Sequence, residues 1–271
     1  MRGAFYSLIN FINTADINDV YADAARKILE NIMLIPGCTI TDVAEMCYVS
    51  TATISRLCRK LNYQSFADFK MDVTMNLNYF NRDALRLQFD HQLPTQVKDE
   101  SKTMKELFED HFENIIANLR STYQQVSFEQ LEEIVDRMHK ANEICFAGNF
   151  FTQSVAMQLE IELTYSGKRC TGMYPLASQI EIAKRLTEND VIIVSSIAGG
   201  FMVDHPDVMR EIAKSKAYKI CITQLEDFIY RDYVDMLVKV GTDHYSLIGK
   251  FSITYIFEVL EAMYHLKYGG K

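Results

Sequence analysis

The sequence predicts two fold classes in one chain: an all-helical N-terminal unit, followed by an α/β unit built on a doubly wound parallel sheet. Three observations carry this. Residues 1–80 place apolar side chains at helical spacing and contain no strand signal. From Ile144 onward, short apolar runs alternate with helical stretches, the pattern of strands joined by crossover helices on both faces of a sheet. Between them, residues 81–102 lose periodicity and hold Pro94 and Lys98-Asp99-Glu100-Ser101, the texture of a linker. The expected division is 1–80, 81–102 as linker and 103–271, and a chain of 271 residues has room for two domains.

In the first unit, Phe5, Leu8, Ile9 and Ile12 predict one helix; Tyr21, Ala24, Ala25, Ile28, Leu29 and Ile32 predict a second, stopped by Pro36-Gly37. Three short helices follow, over Thr41–Cys47, Ser50–Leu61 and Ser65–Asn78. The second unit opens with a long amphipathic helix carrying Leu107, Phe108, Phe112, Ile115, Ile116 and Leu119 on one side. Ser127 and Gln130 form a capping-box pattern that starts a helix through Lys140. Strands are expected at Ile144–Ala147, Arg169–Met173, Val191–Ser195, Lys219–Thr223 and Met236–Val240. The intervening helices are expected at Thr152–Ser166, Ala177–Thr187, Pro206–Lys216 and Leu225–Asp232, with a last one over Phe251–Lys267.

Composition narrows the function classes. Hydrophobic residues at 48% and charged residues at 24% exclude wholesale disorder. No uncharged stretch reaches the roughly 20 apolar residues of a membrane helix. The first residues hold one Arg and an apolar stretch broken by Asn10 and Asn13, with no small-residue cleavage pattern. The expectation is a cytoplasmic protein without a signal peptide or membrane partner. The net charge of −8 argues against indiscriminate polyanion binding and leaves open a local basic face. Cys38, Cys47, Cys58, Cys145, Cys170 and Cys221 never fall two to four apart, so zinc-ligand spacing is absent and they read as small buried apolar groups. The 13 Met residues are assigned packing only. No His-x-x-x-His, Walker or dinucleotide glycine pattern occurs, so neither a metal nor a cofactor is expected.

One basic face does emerge. Thr39 to Lys60 reads as two helices meeting at the small Ala44, with Val43, Val49, Ile54 and Leu57 as shared core and Tyr48 at a turn that would prefer Gly. Ser50 is placed to cap the second helix. Its outward face carries Thr51, Thr53, Ser55, Arg56, Arg59 and Lys60, and from Ser50 through Ala67 there are three basic residues and no acidic one. A recognition helix presents its N-terminal residues to base edges and its later basic groups to phosphates. Thr51 and Thr53 suit bases or thymine methyls, Arg56 a guanine or a phosphate, and Arg59 and Lys60 phosphates. A plain helical hairpin with a solvated basic face reads from the same spacing.

Two loops after predicted strands are candidate anion sites, because the N–H groups at a helix start suit a phosphate or carboxylate. One holds Gly148, Thr152 and its neighbours; the other holds Ser195, Ser196 and Gly199. Ordinary turns with capping hydroxyls read from the same residues. No catalytic residue is assigned: His205 and His244 have no nucleophile or carboxylate partner at a readable spacing, and Glu258 and Glu261 share a helix face as solvated charge.

The stretch Val43-Ala44, Val49-Ser50-Thr51-Ala52-Thr53-Ile54-Ser55-Arg56, Arg59-Lys60-Leu61 and Phe66-Ala67-Asp68-Phe69-Lys70 resembles the helix-turn-helix domain of RpiR/MurR-type transcriptional regulators. Asn62 stands where that family has Gly. Residues 103–267 resemble the family's sugar isomerase (SIS) domain. The resemblance implies a homodimeric regulator on a palindromic double-stranded DNA operator, with an SIS domain that senses a phosphosugar. It also exposes departures. Gly148 and Thr152 keep the first ligand loop's glycine and hydroxyl, while Phe150 replaces a second Gly. Ser195 is kept in the second loop, while Ile197, Ala198 and Gly200 replace Ser, Gly and Thr. Two alternatives stand beside this reading: an SIS domain that only dimerises, and a phosphosugar isomerase.

Overall fold

A computed structural model describes residues 3–16, 18–86, 103–148, 150–172, 176–242 and 248–269. The chain divides into two compact units, Met1–Phe89 and Asp90–Lys271.

The first unit holds α1 (Ala4–Thr14), α2 (Val20–Glu30), α3 (Ile40–Met46), α4 (Thr51–Lys60) and α5 (Phe66–Arg86) around one core. Leu8, Ile28, Val43, Ile54, Leu57 and Phe69 are buried there, one or two from each helix, whereas Ile9, which the spacing places on the apolar side of the first helix, is exposed. Pro36-Gly37 ends the second helical stretch in a single 3-10 turn, Ile35–Gly37. The chain departs from expectation at α5, which runs to Arg86 rather than Asn78 and so occupies the start of the expected linker. Residues 87–102, the rest of that stretch, lie outside the described residues.

The second unit holds α6 (Met104–Gln125), α7 (Phe128–Lys140), β1 (Ile144–Ala147), α8 (Phe150–Tyr165), β2 (Cys170–Gly172), α9 (Leu176–Arg185), β3 (Val191–Ser196), α10 (Gly200–Asp204), α11 (Pro206–Lys214), β4 (Tyr218–Thr223), β5 (Met236–Lys239) and α12 (Gly249–Tyr268). The five strands are all parallel, in the order β2-β1-β3-β4-β5. Period-two burial divides the core in two. Ile144, Phe146, Val191 and Ile193 face α7, α8 and α12, while Cys145, Ala147, Ile192 and Val194 face α9, α10 and α11. Cys145 and Cys221 pack in the second layer, and burial pushes the Cys221 thiol up to about 12. All six cysteines are free; Cys38 and Cys170 are only half-buried.

Four expectations are corrected. Leu225–Asp232 forms no α-helix: the segment has a single 3-10 turn at Arg231–Tyr233, and Phe228 and Tyr230 pack against the second core layer from irregular backbone while Ile229 is exposed. Ser127 accepts from the Gln130 N–H, but the Gln130 side chain donates to the Leu237 carbonyl (2.8 Å), so the reciprocal half of the capping box is missing. Phe108 and Phe112 on α6 are exposed. The buried side of that helix is polar instead: Asn118 and Thr122 bond Ser252 of α12 at 2.5 and 2.8 Å. Met33, Met71, Met75 and Met157 are exposed rather than packed. Among the described residues no helix is long and apolar enough to cross a membrane.

The amino edge of the sheet is closed by charge. Glu143, just before β1, is buried and takes hydrogen bonds from Arg185 of α9 (2.6 Å to Nη1) and Thr171 of β2, with Arg169 at 3.3 Å. Arg185 chiefly holds the Glu143 carboxyl down to about 2, against the opposing effect of burial.

Candidate functional site

Two groups of residues have a geometry suited to ligands, one in each unit.

In the helical unit, Thr39 and Asp42 form a full capping box that starts α3. Val43 and Ala44 are buried where α3 meets α4. The end of α3 is a Schellman motif: Tyr48 takes φ 56, and the Val49 N–H reaches back to the Ala44 carbonyl at 2.9 Å. The end of α4 repeats it, with Asn62 at φ 65 and the Tyr63 N–H on the Cys58 carbonyl at 2.8 Å. Ser50 caps α4 by accepting from the Thr53 N–H (3.1 Å), and its hydroxyl also pairs with that of Thr53 (2.9 Å). Ile54, Leu57 and Cys58 anchor the helix in the core.

This leaves Thr51, Arg56, Arg59 and Lys60 exposed, with Thr53 and Ser55 half-buried. Arg56 and Arg59 have no ion-pair partner among the described residues. Lys60 differs, because its ammonium sits 4.9 Å from the Tyr21 ring centre and 6.0 Å from that of Phe11. The helix therefore offers two uncommitted guanidiniums and one lysine engaged with its own unit.

In the sheet unit, the strand order places the switch point between β1 and β3, where the crossovers leave in opposite directions. Ligands of such sheets bind at the carboxyl ends of those two strands. The structure brings Gly148, Thr152 and Ser195 together there. A Cβ on Gly148 would collide with the Thr152 hydroxyl and stand 3.2 Å from that of Ser195, so the glycine lets these two buried hydroxyls close on the backbone at the strand end. α8 begins two residues later, and its first N–H groups lie at the same edge.

Ser196 and Gly199 lie differently. Ser196 accepts from the Phe201 N–H (3.1 Å), and Gly199, at φ 74, packs against Leu225. Ala198, at φ 47, donates its N–H to Gln224 Oε1 (3.2 Å). The loop after β3 thus spends these groups on its own shape, and Phe201 is buried beneath it.

Sequence reasoning misses two buried amides. Gln224 spans the edge, since its Nε2 donates to the Thr242 carbonyl (2.8 Å). Gln179 of α9 donates to the Gly148 carbonyl (2.9 Å), and its Oε1 is a buried acceptor without a hydrogen-bond donor among the described residues. No spacing marks either residue; only the fold brings position 179 beside position 148. His205 is buried against Phe201, and burial pushes it down to about 4, so it is neutral near pH 7. His244 lies outside the described residues. Glu258 is exposed, whereas Glu261 is half-buried and its carboxyl is raised, first by burial and then by Glu162.

Comparison with known proteins agrees with both halves. Residues 21–79 match the helix-turn-helix domain of the rpiR family. An uncharacterized HTH-type transcriptional regulator of Haemophilus influenzae is 23% identical over 251 residues, covering 91% of this chain and 84% of that one. Another from Caldanaerobacter subterraneus is 24% identical over 183 residues, 66% of this chain; the match spans 60% of that relative's length. Among solved structures, the Vibrio vulnificus NanR protein complexed with ManNAc-6P superposes with a TM-score of 0.52 at 18% identity, covering 98% of this chain and 92% of that one. The sugar isomerase domain of the Sphaerobacter thermophilus RpiR transcription factor gives 0.52 at 21% identity, covering 60% of this chain and 92% of that one. Residues 21–79 are thus a helix-turn-helix domain of the rpiR family, and the second unit has the sugar isomerase fold.

Proposed function

We propose that the chain acts in the cytoplasm as a homodimer that binds a palindromic operator and changes its DNA affinity when the sheet unit takes up a phosphosugar-like effector. Ser50, Thr51, Thr53, Ser55, Arg56, Arg59 and Lys60 form the DNA-facing set, with Arg56 and Arg59 as its principal anchors. A dimer presents two such helices to half-sites about 34 Å apart, or a multiple of that spacing. Two exposed apolar stripes support the dimer: Phe108, Phe112 and Tyr123 on α6, and Met157, Ile161 and Tyr165 on α8.

The observation that carries the effector reading is the convergence of the Gly148 backbone with the Thr152 and Ser195 hydroxyls, beside the start of α8 at the switch point. The loop after β3 has committed the Ala198 and Phe201 N–H groups internally, so the anion is held on the β1 side. Gln179 Oε1 is an acceptor for a hydroxyl or amide hydrogen of the same ligand. The unit is proposed to sense, not to catalyse: isomerisation needs a base between adjacent sugar carbons, and neutral hydroxyls and amides supply none.

The test is thermal unfolding of the full chain against sugar phosphates, amino-sugar and muramic derivatives included, each at about 1 mM. A ligand with Kd near 10 μM stabilises by about 2.7 kcal/mol at that concentration. The expected result is a rise in midpoint for one compound that is lost in Thr152→Ala and Gly148→Val, together with a change in operator affinity. Flat curves throughout the panel would overturn the effector reading. Turnover of any of these compounds, lost in Ser195→Ala, would overturn the exclusion of catalysis.

A further inference from the structure

Tyr48 is the residue whose presence the fold does not explain. It sits at the left-handed position that ends α3, at φ 56, where a side chain costs free energy that glycine avoids. The chain fills the matching position after α4 with Asn62, a residue that tolerates this region. Packing does not compensate, because Tyr48 is 89% exposed, the most exposed large hydrophobic side chain of the described residues. A strained backbone under an unburied aromatic ring is retained for a reason outside the folded unit.

Its position identifies that reason. Tyr48 lies two residues before Ser50, the cap of α4, in the turn between the two helices of the DNA-binding motif. In such motifs the second helix enters the major groove while the first crosses the backbone, so the turn between them borders a phosphate strand. A phenol hydroxyl at this place is a neutral phosphate donor, of the kind that fixes register without reading bases.

We infer that Tyr48 is an additional DNA contact, its hydroxyl donating to a backbone phosphate flanking the site of α4. The inference rests on the DNA-binding reading above and assigns a role to a residue outside the basic face.

The experiment measures the full chain on two probes: a duplex enriched by the wild-type chain from a random 30-base-pair library, and an unselected random 30-base-pair duplex. Tyr48→Phe removes only the exposed hydroxyl. Affinity is expected to fall about tenfold on both probes, the scale of a lost hydrogen bond to a charged group. The dependence on salt stays unchanged, since no counterion-releasing charge is removed. Tyr48→Gly weakens binding at least as much while raising the thermal midpoint of the helical unit by about 4 °C, so affinity and stability move in opposite directions. Undiminished binding in Tyr48→Phe overturns the inference, as does a loss confined to the enriched probe, which marks a base contact. The Arg56→Ala/Arg59→Ala chain is the control: if it still binds, the DNA interface itself has been misplaced, a failure distinct from that of Tyr48.

Discussion

The recognition helix and the carboxyl edge of the sheet present polar groups by opposite means. In the helical unit the exposed groups are consecutive in sequence, from Ser50 to Lys60, and one buried stripe of Ile54, Leu57 and Cys58 orients them all. At the sheet edge the groups come from Gly148, Thr152, Gln179, Ser195 and Gln224, and each is held by a different strand end or helix. The first site is charged and open; the second is neutral and buried. A site that meets a polyanion in water needs exposed charge, whereas one that encloses a small ligand needs preorganised neutral donors and acceptors.

The contrast fails most visibly if the helix site carries no charge contacts. Arg56→Ala with Arg59→Ala is expected to lower operator affinity by a hundredfold or more, with the salt slope reduced by about one for each phosphate left without its arginine. Both side chains are exposed and unpaired among the described residues, so the thermal midpoint stays within a degree or two. Undiminished affinity in a gel-shift titration would dissolve the distinction between the two sites.

A smaller effect sharpens the comparison within the sheet, between its charged amino edge and its neutral carboxyl edge. Glu143 has a folded pKa of about 2 against an ordinary 4.5, so its stabilisation is complete above pH 4.5 and is lost as pH falls toward 2. The shift corresponds to about 3 kcal/mol. Glu143→Gln should therefore unfold at lower urea concentration at pH 7, and the gap from wild type should close as pH approaches 2. Asp42, Asp136, Glu211 and Glu226 are also held below their ordinary range, so the difference between the two proteins isolates Glu143. A gap that persists unchanged at pH 2 would mean that the residue acts through packing and not through its charge.

The two sites are not equally legible in the sequence. The helix site sits in one contiguous stretch, so capping at Ser50, the turn at Tyr48 and the buried stripe of α4 follow from spacing, while the left-handed position of Asn62 follows from the family resemblance, which has Gly there. The strands of the sheet are also legible to within about a residue, most clearly β1 and β3, which are buried throughout and read as near-continuous apolar runs. Gln179 and Gln224 are invisible, since nothing local distinguishes a buried glutamine from a solvated one. The stripe on α6 misleads for a related reason. Periodicity reports that a face is apolar, not that its own chain covers it, and here Asn118 and Thr122 hold the helix down from the other side. Leu225–Asp232 suggests a helix for want of a stop signal, although the segment packs Phe228 and Tyr230 on the core with a single 3-10 turn as its regular structure.

The smallest expected effect concerns Lys60, which sequence places with Arg59 among the phosphate anchors and the fold places over Tyr21. An exposed cation–π contact stabilises by about 0.5–1 kcal/mol. Keeping Lys60 on the ring therefore competes with a phosphate contact of similar size, and the ammonium cannot fully satisfy both. Lys60→Met preserves the aliphatic stem against α2 while removing the charge. It is expected to lower stability by less than about 1 kcal/mol and to reduce the salt slope of DNA binding by clearly less than Arg59→Ala does. Equal slopes in the two variants would mean that Lys60 leaves Tyr21 when DNA arrives. The division of the basic face into two anchors and one internal brace would then hold only for the free protein.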